Sequence, residues 1–313
     1  MTLTELRYIV AVARERHFGR AAEKCFVSQP TLSVAIRKLE DELGIALFER
    51  GPGEVAVTPV GGRIVEQAQR VLEEASAIKQ IAEAGKDELA GPLRVGAIYT
   101  IGPYVMPQLI SHVRRRAPRM PLIIQENYTS SLGEMLKRGE IDVVILSLPY
   151  SHPGIITQAV YDEPFRVVVP ANHAWAAKAR VPTVDLCREN LLLLSTGNCF
   201  RDQVLQLCTG TPRDTDNALQ RSLEGGSLET IRQMVASGVG ITVLPSTAAE
   251  APLLDRRLLA IKPLSPGTPT RRVALAWRRS FPRRRAVEAL RQSILACKLA
   301  GVSFLPDAPE TTD

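Results

Sequence analysis

The first forty residues place apolar side chains at helical spacing. The first predicted helix, capped at Thr4, has its apolar residues at Leu6, Ile9, Val10 and Ala13. A short helix over 19–25 follows, and Ser28 is positioned to cap a third helix that carries Pro30 in its first turn, where a missing N–H costs nothing. This third helix is predicted to end near Glu40. Two short helices joined by a tight turn are typical of a helix-turn-helix.

The outer face of the third helix offers groups that can read DNA. Its inner face is Leu32, Ile36 and Leu39, which leaves polar side chains outside. Gln can bond adenine, Arg can bond guanine or phosphate, and Val can contact a thymine methyl. The candidate DNA-binding residues here are Ser28, Gln29, Pro30, Thr31, Ser33, Val34, Arg37 and Lys38. A capping serine and a solvated basic face would show the same pattern, so both interpretations stay open.

A wing and a long helix are predicted next. Residues 47–58 alternate around Gly51-Pro52-Gly53, as two short strands do, with Arg50 as the wing's candidate DNA contact. From Gly61 a helix carries a heptad seam. Its members are Ile64, Ala68, Val71, Ala75, Ile78 and Ala82. The seam indicates either a dimerising linker helix, which we favour, or a helix packed on its own domain.

Beyond Pro92 the pattern changes to apolar strands alternating with amphipathic helices, which predicts parallel sheets covered on both faces. The fold class is therefore α/β with an N-terminal winged helix-turn-helix and a long linker helix. The predicted domains are 1–60 for DNA binding, 61–90 for the linker and 91–300 for a two-part domain. Its parts are about 91–160 with 268–300, and about 161–267. Residues 301–313 are predicted to form a disordered tail, because the segment PDAPETTD after Leu305 contains no large apolar side chain.

Charge and composition restrict the possible functions but do not locate a binding site. The net charge is +6, yet residues 1–90 hold 12 Lys and Arg against 14 Asp and Glu, so bulk charge does not locate DNA binding. The basic run from Arg271 to Arg285 is predicted to be a solvated strand end and helix start. The N-terminus lacks a signal-peptide pattern and no apolar run is long enough to span a membrane, so a cytoplasmic location is expected.

The five cysteines differ in their surroundings. Cys25, Cys187 and Cys297 are predicted to be small core side chains, and without CxxC or clustered histidines no metal site and no cofactor are expected. Cys199 instead follows a glycine turn and precedes a helix whose first turn holds Arg201. A helix N-terminus and a guanidinium both favour the thiolate, so Cys199 is the candidate reactive thiol.

Cys208 is the candidate second thiol. A helix over 200–208 would carry it about 900° around the axis and roughly 13 Å from Cys199, whereas a disulfide needs Cα atoms within about 7 Å. Peroxide would convert Cys199 to a sulfenic acid, and condensation with Cys208 would require that segment to unwind. Oxidation would therefore remodel the domain, which is what a switch requires.

One block of sequence carries a family resemblance. FGRAAEKCFVSQPTLSVAIRKLEDELGIALFER, residues 18–50, resembles the DNA-binding domain of LysR-type transcriptional regulators, and the resemblance continues over nearly the whole chain. It implies a regulatory domain like a periplasmic binding protein, with two subdomains around a cleft. It also implies double-stranded promoter DNA and RNA polymerase as partners, and a homodimer through the linker helix that pairs into a homotetramer. The wing departs from the family pattern, because it contains Glu54 and has no Lys or Arg after Arg50.

A second resemblance concerns chemistry. GNCFRDQVLQLC and GSLETIRQMVASGVGITVLP are similar to segments of the peroxide-sensing members of that family. The resemblance implies that Cys199 is the peroxidatic thiol and Cys208 the resolving one. It assigns the binding of peroxide or the support of the thiolate to Thr100, Thr129, Asp202 and Arg272. Asn198 stands where many relatives have histidine, and an amide can bond peroxide but cannot shuttle protons.

These observations lead to a ranked set of functions. The first is a DNA-binding activator of oxidative-stress genes that hydrogen peroxide switches through Cys199 and Cys208. The alternative is a LysR-type regulator that binds a small anionic inducer in its cleft, with Thr100 and Thr129 as ligands. A thiol peroxidase is a third class, which the DNA-binding block disfavours, so no enzymatic activity is expected.

Overall fold

The computed structural model describes residues 1–50, 55–84, 87–207, 225–252 and 256–312. The chain forms two compact units, Met1–Lys86 and Asp87–Asp313. Among the described helices, none has both the length and the apolar character needed to cross a membrane.

The first unit is a winged helix-turn-helix followed by a long helix. Its elements are α1 (Leu3–Glu15), α2 (Phe18–Lys24), α3 (Gln29–Leu43), β1 (Phe48–Arg50), β2 (Val55–Val57) and α4 (Pro59–Ala84). The predicted cap at Thr4 is wrong: Thr2 caps α1, because Thr2 and Glu5 exchange the two hydrogen bonds of a capping box. The predicted inner face of α3 is confirmed, since Leu32, Ile36 and Leu39 are fully buried.

The seam of α4 has two different environments. Ala68 is buried in the core of this unit and Ile64 packs against that core, so this half of the seam serves its own unit. Val71 and Ile78 are exposed, Ile78 to 69%. Among the seam positions whose side chains the structure describes, Val71 and Ile78 are therefore the ones available to a partner chain.

The second unit holds two cores. Its elements are β3 (Leu93–Ile98), α5 (Gly102–Arg116), β4 (Leu122–Asn127), α6 (Thr129–Lys137), β5 (Val143–Ser147), β6 (Ile155–Pro170), β7 (Val181–Pro182), β8 (Leu191–Leu192), α7 (Cys199–Gln206), α8 (Leu228–Ala236), β9 (Ile241–Pro245), α9 (Ser246–Ala249), β10 (Leu259–Ser265), β11 (Thr270–Arg278), α10 (Arg284–Leu295), β12 (Ser303–Phe304) and β13 (Glu310–Thr312). Three 3₁₀ helices, Ala174–Ala177, Thr183–Arg188 and Arg256–Leu258, complete it.

The long strand β6 belongs to both sheets. Residues 155–164 pair with β11 beside β5, β3 and β4, and residues 165–170 pair with β9 and β10. The predicted parallel pairs include β3 with β4 and β5, but β6 runs antiparallel to β11, β9 and β10. Both sheets are therefore mixed rather than wholly parallel, since β6 lies antiparallel to its neighbours in each of them.

The prediction of a disordered tail over 301–313 is wrong. β12 and β13 pair with β6, and Leu305 N–H donates to Val160 O. Side chains fix the segment further, since Gln158 Nε2 donates to Ala308 O at 2.8 Å. The unpaired backbone of β6 thus supplies what the tail's own composition lacks.

Candidate functional site

Cys199 lies at the start of a helix between the two cores. Cys199 is the first residue of α7, carries a free thiol, is half-buried and packs against the first core. Its neighbour Phe200 is buried in the second core. A change at this backbone position would therefore reach both cores.

A hydroxyl from the first core contacts the sulfur. Thr129, the first residue of α6, donates its hydroxyl hydrogen to Cys199 Sγ across 3.5 Å. One helical turn beyond Cys199, Gln203 Nε2 donates to Ser147 Oγ at 3.0 Å. These two contacts fix α7 against the ends of α6 and β5.

Cys199 lines an open cleft with charged side chains. Asp202 and Arg272 line the same cleft. Arg272 is 54% exposed and forms a bidentate ion pair with Asp162, with both N–O distances 2.8 Å. The hydrogen bonds that Arg272 donates to Asp162 raise the pKa of Arg272.

The side chains of Asn198 and Arg201, one residue before and two residues after Cys199, are turned toward the preceding turn. Asn198 is buried and its Nδ2 donates to Ser195 O at 3.3 Å, so the amide does not cap α7 although Asn198 is the N-cap residue. Arg201 Nη1 donates to Leu194 O at 2.6 Å. Both side chains stabilise the loop that presents Cys199.

Thr100 is held by a buried arginine that the sequence did not single out. Arg271 donates from Nη1 to Thr100 Oγ1 at 2.7 Å and from Nη2 to Thr100 O at 2.9 Å. It also pairs with Glu163 at 2.7 Å, and both side chains are fully buried. The prediction of a solvated basic run is wrong for Arg271 and also for Arg278, which is buried. No local pattern separates Arg271 from Arg272, because both lie two residues before a buried residue of β11.

The buried network continues to both sides. Glu163 Oε1 accepts hydrogen bonds from Thr247 N at 2.9 Å and from the Thr247 hydroxyl at 2.5 Å. The guanidinium of Arg271 lies 5.6 Å from the centre of the Phe200 ring. Thr100, which lies two residues after β3, is thereby connected to Phe200, the residue that follows Cys199.

The remaining cysteines divide into three cases. Cys297 is buried, and burial raises its pKa to about 11. Cys25 is half-buried, and burial raises the pKa of its thiol too. The prediction of a core thiol is wrong for Cys187, which is half-buried at the edge of the second core and is disulfide-bonded. Cys208 lies outside the described residues.

The candidate DNA-reading residues share one exposed surface. Ser28 caps α3, with its Oγ accepting from Thr31 N at 3.3 Å. Gln29, Pro30, Arg37 and Lys38 are exposed along the outer face. Val34 is 69% exposed and Ser33 is half-buried. The side chain of Arg50 and the wing turn at 51–54 lie outside the described residues.

Comparison with known proteins places this arrangement. Residues 3–62 match the bacterial regulatory helix-turn-helix proteins of the lysR family, and residues 86–297 match the LysR substrate binding domain. The hydrogen peroxide-inducible genes activator of Dickeya chrysanthemi is 40% identical over 94% of this chain and 95% of its own. The DNA-binding transcriptional dual regulator OxyR of Escherichia coli is 39% identical over 95% of each chain.

Solved structures agree over the full length. Full-length OxyR from Pseudomonas aeruginosa is 52% identical, with a TM-score of 0.73, over 96% of this chain and 99% of that one. A hydrogen peroxide-bound OxyR from Corynebacterium glutamicum is 34% identical with a TM-score of 0.63, over 94% and 91%. The predicted fold class and family are confirmed. The chain belongs to the lysR family of bacterial regulatory helix-turn-helix proteins, among its hydrogen peroxide-inducible gene activators.

Proposed function

We propose that this protein is a DNA-binding transcriptional activator of oxidative-stress genes, switched by hydrogen peroxide at Cys199. The observation that carries the proposal is the free Cys199 thiol at the start of α7, contacted at 3.5 Å by the Thr129 hydroxyl. Relatives that cover nearly the whole chain are named as hydrogen peroxide-inducible activators, which supports peroxide as the signal.

The chemistry has two balanced steps. The Cys199 thiolate attacks one oxygen of hydrogen peroxide, the O–O bond breaks, and the departing hydroxide takes up a proton to leave as water. The Cys208 thiolate then attacks the sulfur of the sulfenic acid, the S–O bond breaks as the disulfide forms, and the departing hydroxide takes up a proton to leave as a second water. Thr100, Thr129, Asn198, Arg201, Asp202 and Arg272 are proposed to bind peroxide or support the thiolate.

The DNA-binding surface is proposed to be the outer face of α3, from Ser28 to Lys38, with Arg50 on the wing. The exposed Val71 and Ile78 of the α4 seam support a homodimer through that helix, which we propose pairs into a homotetramer. RNA polymerase is the proposed partner at the promoter, and the cytoplasm the proposed location.

One equivalent of hydrogen peroxide added to the fully reduced protein is expected to give an intramolecular Cys199–Cys208 disulfide and an altered DNA footprint. Peptide mapping by mass spectrometry, without denaturant during oxidation, measures the pairing. Cys199→Ser should abolish both changes. Cys297→Ala should leave both intact, because the raised pKa of Cys297 keeps it protonated at neutral pH.

Two outcomes would contradict the proposal in different ways. Cys199 found free with an unchanged footprint removes the peroxide switch, and induction by a small anion would then favour the alternative regulator. Cys208 found joined to Cys187, with Cys199 left as sulfenic acid, removes only the resolving role of Cys208.

Thr129→Val is expected to slow Cys199 oxidation about tenfold, the effect of one lost hydrogen bond to sulfur. The rate is measured by trapping the sulfenic acid over time in excess peroxide. Thr129→Ser keeps the hydroxyl and should retain most of the rate. Equal rates for the valine and serine variants would show that the hydroxyl has no part in the reaction.

A further inference from the structure

Phe26 occupies a backbone position that normally favours glycine. It lies between α2 and α3 with φ of 57°, in the left-handed region. Phe26 N–H donates to Glu23 O at 3.1 Å and Val27 N–H donates to Ala22 O at 3.0 Å. This is the Schellman pattern that ends a helix, and Phe26 stands at the position where a side chain is disfavoured.

Packing does not explain the phenyl ring either. Val27 turns inward and packs against the core of the first unit, which satisfies the apolar contact that accompanies this motif. Phe26 is left 95% exposed, the most exposed large apolar side chain among the described residues. A strained backbone and an exposed aromatic ring at one position together indicate a function outside the fold.

The surroundings of the ring identify its partner. Phe26 precedes Ser28, the N-cap of α3, and Gln29 and Thr31 beside it are exposed. The ring is thus continuous with the surface proposed to read DNA. In a helix-turn-helix the N-terminal end of the second helix enters the major groove, so the turn before it meets the sugar–phosphate backbone at the groove edge.

We infer that Phe26 is an uncharged DNA contact, whose ring packs on deoxyribose at the edge of the major groove that α3 enters. This inference rests on the proposed DNA-binding function and adds a residue to it. A phenyl ring carries no hydrogen-bonding group, so it contributes affinity without reading bases and without displacing counterions.

Binding to two duplexes tests the inference. One duplex is selected from a random pool by the native protein, and the other is an unselected duplex of equal length. Phe26→Ala and Phe26→Gly are each expected to weaken binding to both duplexes by about 5- to 30-fold, as partial burial of a phenylalanine ring implies. The slope of log affinity against log salt should stay unchanged. Val184→Ala, which truncates an exposed side chain of the other unit, is the matched control and should bind normally.

Stability separates contact from structure. Phe26→Gly is expected to melt a few degrees above Phe26→Ala, since glycine adopts positive φ without strain. Equal loss of DNA affinity in the two variants then supports a lost contact, whereas affinity that follows melting temperature would overturn the inference.

Arg37→Ala distinguishes the remaining failures. If Arg37→Ala weakens binding while both Phe26 variants bind within twofold of the native protein, Phe26 is not a contact and the DNA-reading face stands. If none of the three weakens binding, the proposed DNA-reading face is itself wrong. A changed oligomeric state in Phe26→Ala, measured by sedimentation, would assign the ring to a second copy of the chain and overturn the inference.

Discussion

Arg271→Ala is expected to lower the free energy of unfolding of the second unit, Asp87–Asp313, by about 3–5 kcal/mol. The change removes one member of a fully buried ion pair and leaves the Glu163 carboxylate without its cation. Thr100 loses two hydrogen bonds as well.

Arg272→Ala is the matched control one residue away. Arg272 also forms a bidentate ion pair, but it is 54% exposed and its partner Asp162 is partly exposed. Exposed pairs of this kind contribute at most about 1 kcal/mol. Urea unfolding followed by tryptophan fluorescence measures the free energy of unfolding of both variants, because the two tryptophans, Trp175 and Trp277, lie in the second unit.

A double variant tests the cause of the loss. Glu163→Gln removes the charge while keeping an oxygen that can accept from Thr247, so Arg271→Met with Glu163→Gln should be more stable than Arg271→Ala. Similar losses for Arg271→Ala and Arg272→Ala would mean that the buried pair contributes no more than the exposed one.

The features that depend on short stretches of sequence were predictable from local patterns. The inner face of α3 follows from the spacing of Leu32, Ile36 and Leu39, and the cap of that helix follows from Ser28. These depend on contacts within one element or between neighbours in sequence. The positions of Cys199 at the start of α7 and of Thr129 at the start of α6 follow for the same reason.

The features that failed depend on distant parts of the chain. Arg271 and Arg272 are adjacent and chemically identical, yet Glu163, more than a hundred residues earlier, decides which one is buried. The tail is ordered by pairing with the backbone of β6 and by the packing of Val302 and Phe304 against the first core. The same strand makes the sheets mixed, since it belongs to both of them.

Asn198 lets the reactivity of the site be changed in a predictable direction. The amide is buried and donates only to Ser195 O among its described contacts, so replacing it costs no cap hydrogen bond. An imidazole fits the N-cap position elsewhere in the chain: Nδ1 of His17 accepts from Gly19 N at 3.1 Å, and Nδ1 of His173 accepts from Trp175 N at 3.1 Å. To act as a base at position 198 the ring must instead donate Nδ1–H to Ser195 O, as the Asn198 amide does, because only then is Nε2 the unprotonated nitrogen that can accept a proton.

Asn198→His is therefore expected to speed Cys199 oxidation by on the order of 10- to 100-fold, since a positioned imidazole transfers protons and an amide does not. The neutral ring is the proton acceptor, so the gain should be present above about pH 6.5 and lost below it. Stopped-flow oxidation between pH 5.5 and 8 measures the rate. Asn198→Gln, which keeps an amide, is the control and should show no such gain. A histidine variant no faster than the glutamine variant at pH 7.5 would mean that proton transfer at position 198 does not limit the reaction of Cys199 with peroxide.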